Sequence, residues 1–134
     1  MSNLRMMTAA GGVLAAGIAL AGIAPAGVAA AAPGGYAAAG ASLFEQRCKV
    51  CHVTGEGQKG VLAPNLRGLV GRRAASTAFD YSPALKAAGL TWTPAHLSQF
   101  LTAPMKMVPG TRMVVSIPDA QQRADVIAYL ATLK

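Results

Sequence analysis

At 134 residues, the chain is long enough for one domain, but its two cysteines, two histidines and seven aromatic residues are thin material for a large core. Twelve Lys and Arg against five Asp and Glu give a formal charge of +7, which suits an acidic partner, an anionic membrane face, nucleic acid or plain solubility. No nucleic-acid-binding motif is present, and the few Cys and His residues argue against a zinc site, which needs about four N or S ligands.

The first stretch, 1–31, reads as an export signal rather than as fold. Arg5 is its single cation, Val13 to Ile23 form an apolar run, and Val28-Ala29-Ala30-Ala31 offers small residues for cleavage after Ala30 or Ala31. An uncleaved anchor is the alternative, although the run is shorter than the ~20 apolar residues a spanning helix needs. Either way the working domain is placed outside the cytoplasm, in the periplasm, which also argues against nucleic acid. Residues 32–38 read as a short linker and 39–134 as the domain. Without Arg5 the remainder keeps eleven basic against five acidic residues, about +6.

From about Ala38 to Cys48, Gly40, Phe44 and Cys48 recur at four-residue steps and predict one face of a helix. That face leads into Cys48-Lys49-Val50-Cys51-His52, the C-x-x-C-H pattern of covalent haem attachment. Two thiols with two residues between them on a helical turn present both sulfurs to one face of a porphyrin, and the next residue offers an imidazole to the iron. A thiol–disulfide redox pair is the rival reading, but it belongs with a βαβ pattern that this sequence lacks.

The stretch from Gly55 to Gly71, rich in glycine and containing Pro64, predicts an irregular loop. Ser82-Pro83, with Gly89 beyond, predicts a short helix with an N-cap serine and proline at its first position. Thr93-Pro94 opens another, which should bury Leu97, Phe100 and Leu101 and stop before Pro104. A last helix begins at Asp119 with Gln122 as capping-box partner, and Val126, Ile127, Leu130 and Leu133 form its apolar stripe. No strand pattern or repeat is visible. The expectation is an all-α domain of four or five short helices whose long loops wrap a cofactor. Without haem, such a domain should be largely unstructured.

Haem iron has a second side to fill. Met105, Met107, Met113 and His96 are the candidates, and an open site is also possible. Pro109-Gly110-Thr111-Arg112-Met113 gives the best context, because proline and glycine keep the chain out of a helix and let a flexible thioether project inward. A neutral, soft sulfur favours ferrous iron and raises the reduction potential. His96 lies beside apolar helix positions and reads as a histidine at the solvent edge.

Phe44 through Cys51-His52, Pro64-Asn65-Leu66-Arg67-Gly68-Leu69, Gly71-Arg72, Phe79-Asp80-Tyr81-Ser82, Gly89-Leu90-Thr91-Trp92, Pro109 to Met113 and Arg123 to Leu130 occur in one order. In that order they resemble class I cytochromes c, and the chain looks like a soluble bacterial cytochrome of the mitochondrial type over about Ala38 to Lys134. The resemblance implies the cytochrome c fold and one covalent haem c. It implies thioethers from Cys48 and Cys51, and axial ligands His52 and Met113. Pro64 would orient His52 through its carbonyl. Arg72, Tyr81 and Trp92 match residues that contact the haem propionates, with Thr111 near them, and Gly40, Phe44 and Tyr129 match a crossing of first and last helices. Phe100 departs from the family, which often has a tyrosine there bonded to the methionine sulfur. Met105-Lys106-Met107 departs too, in a place where lysine or an aromatic residue is usual.

The resemblance implies a monomeric one-electron carrier of a respiratory or photosynthetic chain, not an enzyme and not permanently inserted in a membrane. Its partners would be acidic surfaces of a cytochrome bc-type complex, an oxidase, a reaction centre or a dehydrogenase, steered by Lys49, Lys106, Arg112, Arg73 and Lys86. Two rivals remain: a haem enzyme with peroxidase-like activity, and a fixed electron-entry subunit of a larger complex.

Overall fold

A computed structural model describes residues 34–134; the signal sequence and cleavage sites read from 1–31 lie outside the described residues. Five α-helices follow in order: α1 Ala37–Arg47, α2 Pro83–Ala87, α3 Pro94–Thr102, α4 Pro104–Met107 and α5 Ala120–Thr132. Among the described residues there is no named strand, only an isolated antiparallel bridge between Arg73 and Thr91.

Local chemistry starts most of these helices where the sequence placed them. Ser82 Oγ accepts from Leu85 N at 3.2 Å, Thr93 Oγ1 from His96 N at 3.1 Å and Asp119 Oδ1 from Gln122 N at 2.7 Å. Each bond satisfies an amide that the first helical turn leaves without a partner. Pro83 and Pro94 sit in first turns, where a missing N–H costs nothing. Beyond α2, Gly89 takes the left-handed conformation (φ 63°) that ends a helix. Pro104 stops α3 as expected, and it also begins α4, a single turn that the sequence reading did not anticipate.

α1 has no side-chain cap of its own. Asp125, buried within α5, supplies one from across the fold: its Oδ1 accepts from Tyr36 N at 2.7 Å. That bond marks the crossing of first and last helices. A Cβ on Gly40 would lie 1.9 Å from the Asp125 carbonyl oxygen, so only glycine permits this backbone approach. One turn on, Phe44 packs against Tyr129 with ring centroids 5.3 Å apart.

Phe44, Ile117 and Val126 are almost wholly buried, and Leu97, Phe100, Leu101, Val108, Ile127 and Leu130 complete the core around them. Leu133, the last residue of the expected stripe, is only partly buried beyond the end of α5. Among the described residues, no helix is long and apolar enough to cross a membrane.

Candidate functional site

The apolar residues of α1, α3 and α5 do not close on one another. They line a cavity of about 240 Å³ that opens to solvent, with Phe44, Leu97, Phe100, Leu101, Val126 and Leu130 on its walls. Trp92 also lines it and packs against Phe100, ring centroids 5.0 Å apart. A domain this small does not leave such a space unfilled at low cost.

Cys48, Cys51 and His52 reach this cavity from the turn that ends α1. The turn is tight, with Cys51 N and His52 N both donating to the Cys48 carbonyl at 3.1 and 2.9 Å. Cys48 is buried and Cys51 exposed, and no disulfide joins them. Burial pushes the Cys48 thiol above its ordinary pKa, against the opposing pull of the Arg47 charge, and the neighbouring Cys51 adds a smaller upward push.

His52 has one ring nitrogen engaged: Nδ1 lies 2.8 Å from the Pro64 carbonyl oxygen. A carbonyl can only accept, so Nδ1 carries the proton and Nε2 keeps the lone pair. Burial holds the imidazole below its ordinary pKa, while the bond to Pro64 works in the other direction. The ring is therefore a neutral nitrogen donor of fixed tautomer.

Of the four candidates for the second axial position, only Met113 lines the cavity. Met105 is exposed, and Met107 lines a separate groove with Ala84, Ala88 and Leu90. His96 Nδ1 is 2.7 Å from the Thr91 carbonyl oxygen, away from the cavity lining. The segment carrying Met113 turns at Gly110 (φ 91°) and is tied down by Arg112, whose Nη1 donates to the Asp80 carbonyl at 2.8 Å. The Asp80 carboxylate is held below its ordinary pKa by Lys86 and then by Arg112. These exposed pairs contribute little to stability.

Arg72, Tyr81 and Thr111 line the cavity as well. Arg72 donates to the backbone carbonyls of Arg67 at 2.8 Å and Asn65 at 3.0 Å. The Tyr81 hydroxyl is 2.5 Å from Thr77 Oγ1, and Thr111 Oγ1 accepts from Met113 N at 3.4 Å. Sequence reasoning gave no role to Thr77 or to the exposed Leu62 and Val114 of the cavity lining. They lie in loops, where no periodicity marks a position.

Among the described residues, no group of three or more His, Cys, Asp or Glu converges as a metal site. The donors gathered on the cavity are two thiols, one imidazole and one thioether, set in apolar walls. A porphyrin held covalently at its edge and ligated by nitrogen and sulfur fits this set, and a bare hard cation does not.

The family model for cytochrome c matches residues 37–134. Cytochrome c of Tetrahymena pyriformis is 43% identical over 102 residues, 75% of this chain and 92% of that protein. Cytochrome c2 of Rhodopila globiformis is 43% identical over 105 residues, 77% of this chain and 98% of its own length. The solved structure of cytochrome cH from Methylobacterium extorquens superposes with a TM-score of 0.68 at 44% identity, covering 73% of this chain and 99% of that one.

Proposed function

Because this chain belongs to the cytochrome c family and is a single-haem electron carrier rather than an enzyme, we propose which of its residues do the work. Cys48 and Cys51 hold one haem c through two thioethers, and His52 and Met113 are its axial ligands. When bound, haem c supplies the one-electron Fe(II)/Fe(III) couple. The observation that carries the reading is the convergence of both thiols, the His52 imidazole and the Met113 thioether on one apolar cavity.

Each residue then has a physical task. The Pro64 carbonyl fixes the His52 tautomer and strengthens its donor nitrogen. Met113, the methionine on the cavity wall, would supply the iron's second protein ligand and so keep substrate and water from it. With haem filling the cavity, the apolar walls would exclude solvent and keep the local dielectric low. Arg72, Tyr81, Trp92 and Thr111 line the cavity and would hold the propionates; guanidinium, phenol, indole and hydroxyl are all donors suited to carboxylate.

Carbon monoxide tests the closed site. Reduced protein at neutral pH is expected to leave the gas unbound, whereas rapid stoichiometric binding would favour an open, peroxidase-like haem.

Cytochrome c family proteins pass electrons to redox partners. For this chain we propose partners with acidic surfaces outside the cytoplasm, in the periplasm, with 1–31 as the signal sequence and 39–134 as the functional domain. The excess of basic residues supports this reading. Arg47 and Arg112 line the cavity, and Lys106 and Arg73 are exposed. Lys49 is paired with Glu45 at 2.7 Å. Steering of this kind is long-range and screened by salt. The rate of electron transfer to an acidic partner should therefore fall steeply as ionic strength rises; a rate indifferent to salt would reduce the basic excess to a matter of solubility.

A further inference from the structure

Asn65 has both ends of its side-chain amide engaged, and every partner is backbone. Nδ2 donates to the Gly55 carbonyl at 2.8 Å and to the Gln58 carbonyl at 2.9 Å. Oδ1 accepts from Arg67 N at 2.8 Å, closing a local turn two residues on. The loop 55–65 is thus drawn together at its neck by one side chain. The next residue adds to the anchorage, with Leu66 N donating to the Val53 carbonyl at 2.9 Å.

Immediately before this anchored residue stands Pro64, whose carbonyl accepts from His52 Nδ1 at 2.8 Å. Proline has no N–H with which to fix itself. The Pro64 carbonyl belongs to the peptide unit it shares with Asn65, so whatever holds Asn65 also aims that oxygen.

We infer that Asn65 is a positioning residue: by closing the neck of the 55–65 loop it holds the Pro64 carbonyl on His52 and so sets how strongly that imidazole donates to iron. The inference rests on the proposed ligation by His52. A ring N–H held on a good acceptor makes the opposite nitrogen more basic, which favours ferric iron. With the neck released, the carbonyl drifts, the imidazole weakens and the ferrous form gains. Only an amide does this at position 65. Serine is too short for both carbonyls, and leucine has the shape without the donors.

The test uses holoprotein carrying Asn65→Leu, which removes all three bonds, and Asn65→Ser, which keeps an acceptor for Arg67 N but loses the reach to Gly55 and Gln58. Ile127→Val serves as a control that lowers stability in the core of α5. Reduction potential and the His52 Nδ1–H proton resonance of the reduced protein are measured for each. Both Asn65 variants are expected to raise the potential, by up to a tenfold change in the redox equilibrium, ~59 mV for one electron. They should also shift the Nδ1–H resonance upfield, while Ile127→Val moves neither. Should Asn65→Leu yield no folded holoprotein, Asn65→Ser decides the matter. Unchanged potential and resonance, with the far-red absorption band from methionine sulfur to ferric iron intact, would reduce Asn65 to a loop fastener and overturn the inference. A missing band in the unsubstituted protein would instead defeat the ligation reading, and the inference with it.

Discussion

A Cys48→Ser/Cys51→Ser double variant is expected to be made without attached haem and to show no cooperative unfolding transition by heat or denaturant. The cavity of about 240 Å³ is the reason. Because it opens to solvent, without haem water wets its apolar walls, and burial worth roughly 25 cal/mol per Å² is forfeited by a domain whose total stability is about 5–15 kcal/mol. Phe44, Leu97, Phe100, Leu101, Val126 and Leu130 would then face a gap instead of a cofactor. Little else can take over their packing, because among the described residues the largest side chains with under 2% exposure are just Phe44, Ile117 and Val126, and two of these three line the cavity themselves. Far-UV circular dichroism against denaturant checks this. A sigmoidal, native-like transition in the double variant would show that the protein core stands without its cofactor.

Gly40→Ala is expected to destabilise the holoprotein by about 3 kcal/mol or more, beyond the usual ~1–3 kcal/mol for overpacking. Alanine is the better helix former by about 1 kcal/mol, so helix propensity alone predicts a gain. Packing reverses the sign. The new Cβ would lie 1.9 Å from the Asp125 carbonyl oxygen and 2.9 Å from the Tyr129 Cβ. The first of these is backbone inside α5 and cannot rotate aside. α1 would have to lift, weakening the Phe44–Tyr129 contact and the bond from Tyr36 N to Asp125 together. Denaturant midpoints of the two holoproteins measure the difference; a loss below about 0.5 kcal/mol, the range of neutral surface changes, would contradict this crossing.

Much of this architecture was legible because its causes are local. Ser82, Thr93 and Asp119 each bond an amide within three residues, so a cap and the helix it starts can be read from adjacent letters. The haem-attachment motif is likewise five consecutive residues. α4 escaped because a four-residue helix has no period to detect.

The second axial candidate was harder. Met105, Met107 and Met113 lie within nine positions, and what separates them is long-range: the Gly110 turn and the hold of Arg112 on Asp80, 32 residues away, fix the segment whose Met113 lines the cavity. The roles of Thr77 and Asn65 depend on loop geometry that composition does not encode. Arg72 shows the same limit, since its chemistry suited a carboxylate and the fold also places its guanidinium on two backbone carbonyls.

The optical spectrum of the air-oxidised protein, made in a host that exports and matures c-type haem, tests the central assignment most directly. Ligation by His52 and Met113 predicts a weak far-red charge-transfer band from sulfur to ferric iron, present at neutral pH and abolished by Met113→Ala with the haem still attached. Coloured protein lacking that band, or a band that survives Met113→Ala, would contradict the account.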